Sequence, residues 1–182
     1  MDTINPNFDR NLLILGNIVL FFQCVFAGGG VSSRRSKSFT KDFLKEKIAE
    51  PSNNKVKPAA GGYPDMGNGL YSDHLDFAQW MKFNQAQRIH QNFVEWITIF
   101  VVLLWICHFF YPRTAWMFNI LFIVGRALYR KGYNKQPKSR ILGALSFILG
   151  TFVLIGVVGY GIATKGNLRG ENGVLKGLGL SN

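Results

Sequence analysis

Arg88, Asn92 and Glu95 recur at i, i+4 and i+7 within Phe83-Asn84-Gln85-Ala86-Gln87-Arg88-Ile89-His90-Gln91-Asn92-Phe93-Val94-Glu95. On a helix that spacing makes one polar stripe beside otherwise apolar faces. A guanidinium binds carboxylates and a carboxylate accepts from an ammonium group, so the stripe offers both halves of a zwitterion site. It also sits where an apolar run begins. An arginine or a carboxylate at bilayer depth costs on the order of 3 kcal/mol, so such groups face a bundle interior or a watery cleft. The plainer alternative is an internal Arg88–Glu95 ion pair that only fixes helix packing.

A second cluster reads Gly125-Arg126-Ala127-Leu128-Tyr129-Arg130-Lys131-Gly132-Tyr133, followed by Pro137-Lys138-Ser139-Arg140. Arg126, Tyr129 and Tyr133 share a helix face at i, i+3 and i+7, and Arg140 stands beside the next apolar run. Alone, these residues would also serve as interfacial belt and anchor groups. Together the two clusters make a pocket of several guanidiniums, one carboxylate and two phenols, suited to a ligand with two carboxylates and an ammonium group. Cys24 and Cys107 lie in apolar runs, where a thiol acts as a small hydrophobe. No metal site is expected.

The elements that must position these residues are membrane spans. With 48% apolar residues, the 182-residue composition alone would also suit a soluble domain. Local runs decide otherwise: 12–31 is uncharged, 93–111 carries only Glu95, and 141–163 has no charge. Each is long enough to cross about 30 Å of hydrocarbon. A fourth segment, 114–133, is apolar through Val124 and then meets Arg126, Arg130 and Lys131. It is counted because Tyr111-Pro112-Arg113 can only reverse the chain, and the returning segment must satisfy its backbone as helix. The sequence predicts an all-α integral membrane protein, a single domain 1–182 forming a four-transmembrane-helix bundle. Its spans fall at about 10–32, 77–110, 114–133 and 140–163, with a polar connector 33–72 and a short polar tail 165–182.

Lys and Arg outnumber Asp and Glu by 21 to 10. The excess is concentrated in the connector before the second span and in 126–140, so both connectors lie on one side. The positive-inside rule then puts the termini on the non-cytosolic side. Loop bias and anionic headgroups account for the net charge of +11 without nucleic acid. The acidic N-terminus lacks a basic n-region and reads as an anchor. In the long connector, Phe39, Phe43, Leu44 and Ile48 suit a short amphipathic helix on the headgroups, with a solvated linker as the alternative. Residues 51–69, rich in Asn, Pro and Gly, predict an irregular loop, and Ser72 or Asp73 a cap for a helix starting near His74.

Arg88-x-His90-Gln91-Asn92-x-x-Glu95, Tyr111-Pro112-Arg113, Val124-Gly125-Arg126-Ala127-Leu128-Tyr129-x-x-Gly132-Tyr133, and Arg140 with Gly143 together resemble the membrane-associated proteins in eicosanoid and glutathione metabolism (MAPEG). The likeness runs from about Tyr63 to Tyr160 and is nearest to microsomal glutathione S-transferases of the third type. It implies four-helix protomers in a homotrimer, with glutathione as co-substrate bound between protomers near the cytosolic face. By that resemblance Arg88, Asn92, Glu95, Arg126, Tyr129 and Tyr133 bind glutathione, and Arg140 is the catalytic residue activating its thiol. Arg34 and Arg35 are candidates for the family's basic pair, and Trp96 for a ligand-contacting aromatic. The second substrate would be a lipophilic electrophile or lipid hydroperoxide arriving from the bilayer. The endoplasmic reticulum is the implied location, with a mitochondrial membrane as alternative. Two departures stand out: no proline follows Glu95-Trp96, and the connector is unusually long. Beside the transferase stand a second reading, a noncatalytic accessory subunit packed against unrelated membrane subunits, and a third, a lipid-regulatory scaffold for which the sequence offers no discriminating residue.

Overall fold

The structure, a computed structural model, describes residues 6–165. The expected tail beyond Lys165 and residues 1–5 lie outside the described residues. Five α-helices follow in order: α1 (Pro6–Ser38), α2 (Lys41–Leu44), α3 (Phe77–Phe110), α4 (Pro112–Lys135) and α5 (Ile141–Lys165). Three stretches are long and apolar enough to cross a membrane: Asn7–Ser38, Phe77–Phe110 and Pro137–Lys165. With 24 residues α4 extends about 36 Å and also has the length, although the basic second half keeps it from passing on composition. It starts at Pro112, the first helical position, where the missing N–H leaves no bond unmade. The helix α1 continues six residues past the expected 32, so the connector starts later than the charges suggested.

Two compact units divide the chain. One comprises the described residues up to Leu20, Trp96–Tyr129 and those from Ile141 on; the other comprises Phe21–Glu95 and Arg130–Arg140.

In the first unit Phe100 of α3 stacks on Phe122 of α4 at 3.8 Å between ring centres, and Phe147 of α5 meets the Trp96, Phe122 and Tyr129 rings edge-on. Lipid gives helices no hydrophobic drive to associate, so close packing and polar contacts must hold them. Asn119, 1% exposed, supplies such a contact, its Nδ2 donating to the Leu13 carbonyl and to Asn17 Oδ1, both at 3.1 Å. The Trp116 indole donates to Asp9 at 2.8 Å. Glycines let α4 and α5 meet: a Cβ at Gly143 would run into the Tyr129 backbone, and one at Gly125 into the Ser146 hydroxyl.

In the second unit the connector is folded rather than draped. Arg35, 4% exposed, donates to the carbonyls of Gly61 (3.3 Å), Gly62 (3.4 Å) and Asp65 (2.6 Å), and its guanidinium lies 4.1 Å from the Tyr63 ring centre. The Asp65 carboxylate accepts from Ser72 Oγ (2.6 Å) and from the amides of Ser72, Gly67 and Gly69. Burial pushes the Asp65 carboxyl up, but these hydrogen bonds outweigh it and hold the carboxyl below its ordinary value. Both Trp80 Nε1 and Asn84 Nδ2 of α3 donate to the Gly67 carbonyl at 2.9 Å. Gly67 has φ +100, and a Cβ there would meet the Asn84 amide at 2.8 Å, so only glycine fits this close approach.

Two expectations for this region are corrected. The apolar positions Phe39, Leu44 and Ile48 do not lie on headgroups; they pack, almost fully buried, around Phe83. The cap of α3 is neither Ser72 nor Asp73. Ser72 is committed to Asp65, and Asp76 Oδ1 accepts from the Gln79 amide at 2.8 Å, so α3 starts at Phe77.

Candidate functional site

The α3 stripe belongs to the second unit. Arg88 and Glu95 are exposed and Asn92 is half-buried. Two helical turns separate Arg88 from Glu95, and among the described residues no ion pair links them, so the plain packing reading fails for these two groups. Their own chain thus leaves both charges uncovered.

The other residues fall into two pairs. In the first unit Arg126 is 2% exposed, its guanidinium carbon 4.9 Å from the Tyr129 ring centre and 4.8 Å from that of Phe147. Gly143 sets this pair by allowing α5 to approach α4 at Tyr129. Trp96 packs edge-on against the same Phe147 at 5.5 Å. Burial of the arginine among aromatic faces replaces part of its lost hydration with cation–π attraction.

In the second unit Arg140 ends the turn Pro137–Arg140, its guanidinium carbon 4.8 Å from the Tyr133 ring centre. Gly132 permits the turn: a Cβ there would strike the Ser139 carbonyl. Tyr133 is buried and Arg140 exposed, which gives a cation held by a ring yet open to an anion.

The adjacent arginines of α1 part company. Arg35 is spent on the connector, as described. Arg34 lines a cavity of about 220 Å³ in the second unit, together with Lys37 of α1 and Arg130 and Asn134 of α4. Lys37, Arg130 and Asn134 were not among the residues singled out from sequence. The signal was there: Arg34 and Lys37 stand at i, i+3 and Arg130 and Asn134 at i, i+4, each pair on one face. Among the described residues no group of three or more His, Cys, Asp and Glu is placed to hold a metal.

The chain matches a known family model, that of the MAPEG family, over residues 13–160. The chain belongs to the MAPEG family. This MAPEG chain is therefore an all-α integral membrane protein. It is also 36% identical over 81 residues to microsomal glutathione S-transferase 2 of Homo sapiens, a match that covers 43% of this chain and 55% of that protein. The chain thus spans about half the length of the curated relative it matches.

Proposed function

We propose that this MAPEG chain is a membrane-bound glutathione S-transferase or glutathione-dependent peroxidase acting on lipophilic electrophiles or lipid hydroperoxides. The observation that carries the reading is the exposure of Arg88 and Glu95, opposite charges on a membrane-spanning helix that their own chain leaves uncovered. A second protomer and a zwitterionic tripeptide would satisfy both, which fits a homotrimer with glutathione between protomers. Likeness to a glutathione transferase supports the same chemistry.

On this reading Arg88, Asn92, Glu95, Arg126, Tyr129 and Tyr133 bind and orient glutathione, and Arg140 acts on its sulfur. A free thiol has a pKa of about 8.5 and is mostly protonated at neutral pH; a guanidinium beside it lowers that by about 1 to 3 units. Arginine stays protonated, so Arg140 stabilises the thiolate electrostatically and abstracts no proton. The thiolate attacks the electrophile's carbon, displacing a leaving group with its electron pair or adding to an activated double bond that then takes a proton from water. With a hydroperoxide it attacks the distal oxygen and breaks the O–O bond; the alkoxide is protonated to an alcohol, and the glutathione sulfenic acid formed is reduced by a second glutathione to the disulfide and water. Arg34 and Trp96 are secondary candidates for contact with the two substrates. The commitment of Arg35 to the connector argues against a like role there.

The accessory-subunit reading would have neighbouring subunits hold the long connector; Arg35 and Asp65 hold it from within the chain. The deciding experiment is glutathione binding by the purified protein, with thiolate ultraviolet absorbance as readout and oligomeric state measured in parallel. Binding with thiolate absorbance that Arg140→Ala abolishes is expected; no binding at millimolar glutathione overturns the proposal.

A further inference from the structure

Apart from Arg34, the cavity beside it is lined by residues to which the glutathione reading gives no role. Its charged lining is Arg34, Lys37 and Arg130, with Ser33 and Asn134 as neutral donors and no carboxylate. Among the described residues none of the three cations has an ion-pair partner. Three guanidinium and ammonium groups around one hollow repel one another unless an anion is present. At about 220 Å³ the cavity is below the range of about 300–1,000 Å³ usual for drug-sized ligands. That volume is large enough for a headgroup. Its remaining walls are small or apolar residues of α1 and α3, including Gly30. Along α1 the charges follow the apolar run, so the polar mouth stands at the end of a span, where lipid phosphates lie.

We propose that this cavity is a binding site for a phosphate group, supplied in the membrane by an acidic phospholipid. Basic pockets between membrane helices bind such headgroups through several cations at once. Arginine adds paired N–H donors that match phosphate oxygens. None of the stripe residues Arg88, Asn92 and Glu95 lines this cavity, and the proposal does not depend on the transferase reading.

Gly30 provides a test that leaves every charge in place. A Cβ there meets nothing within 4 Å, so Gly30→Leu fills open space without a backbone clash and replaces a poor helix former with a good one. The full-length protein is reconstituted in nanodiscs of phosphatidylcholine with a minor fraction of phosphatidylglycerol. Lipid retained by the protein is then counted by native mass spectrometry. The wild type should enrich phosphatidylglycerol on the order of ten- to hundredfold over its share of the disc, as three nearby cations imply. Gly30→Leu and the double variant Lys37→Gln/Arg130→Gln should both abolish that enrichment, with an unchanged size-exclusion profile showing that they fold. A parallel arm measures thermal stabilisation in detergent by inorganic phosphate. Stabilisation that Gly30→Leu removes, without lipid enrichment, supports the site and assigns it to soluble phosphate. Enrichment that survives in both variants, or neither effect in the wild type, overturns it. Loss of glutathione binding in Gly30→Leu would make the cavity part of the glutathione site and overturn its separateness.

Discussion

The guanidinium carbon of Arg140 lies 4.8 Å from the centre of the Tyr133 ring, across a turn that Gly132 alone permits. The ring fixes the cation on one side and leaves its other side open. On the transferase reading, Arg140→Ala loses about 10²- to 10³-fold in turnover, the loss typical of removing one electrostatic donor. The alkaline rise in rate moves to higher pH, because the thiol reverts toward its free value of about 8.5. Arg140→Lys keeps the charge but not the planar fork and recovers only part. A pH–rate profile of the three proteins, with glutathione binding measured alongside, checks this.

Arg35→Ala releases the connector. A buried cation that donates to the Gly61 and Asp65 carbonyls is lost, and each hydrogen bond to a charged group is worth about 1.5–3 kcal/mol. Limited proteolysis should cut residues 53–70 at least tenfold faster, the equivalent of about 1.4 kcal/mol. Arg35→Lys should not restore protection, since one ammonium cannot reach the spread of carbonyls the guanidinium reaches. Equal cleavage of all three proteins would contradict the role given to Arg35.

The Asp65 knot gives the connector an acid limit. Its carboxyl titrates below the ordinary value in the folded chain, so its stabilisation is fully present above the unfolded value. It is lost as pH falls through the folded value, on the acid side of the usual carboxylate range. Hydrogen exchange at the Gly67, Gly69 and Ser72 amides should accelerate there. In Asp65→Asn those amides should exchange fast at every pH, with no acid step.

Gly143→Leu drives a side chain into the Tyr129 backbone, where no rotamer change relieves the clash. Overpacking of this kind costs about 1–3 kcal/mol. Thermal melts in detergent should drop, and any activity should fall with Tyr129 displaced. Gly29→Ala is the control: a Cβ there meets nothing, and the helix gains about 0.5–1 kcal/mol. A Gly143→Leu protein as stable as the wild type would show that α4 and α5 do not pack as closely as described.

The membrane helices were legible because burial in lipid demands long uncharged runs, and 12–31 and 141–163 have them. The helix α4 was harder: its basic half keeps composition from marking it as a span, and the expectation of one rested on the short turn at Pro112. The connector was least legible. Phe39, Leu44 and Ile48 carry the same amphipathic pattern whether they face lipid or protein, and Phe83, the residue they cover, is distant in sequence. Ser72 reads as a cap until Asp65 claims it, a contact seven residues away. The neighbours Arg34 and Arg35 point about 100° apart on one helix, so one meets a cavity and the other a loop. No motif marks that division. The stripe Arg88, Asn92 and Glu95 could be read from spacing alone, whereas the Arg140–Tyr133 pair needed the turn that Gly132 allows.

At 34 residues α3 is about 51 Å long, against about 30 Å of hydrocarbon. The surplus turns work as a mast, and Trp80 and Asn84 are the cleats to which the connector is tied at Gly67. One turn further along the same mast stands Arg88. Loop and stripe are therefore rigged to a single spar, and a partner that hauled on the connector would load the helix that carries the charges.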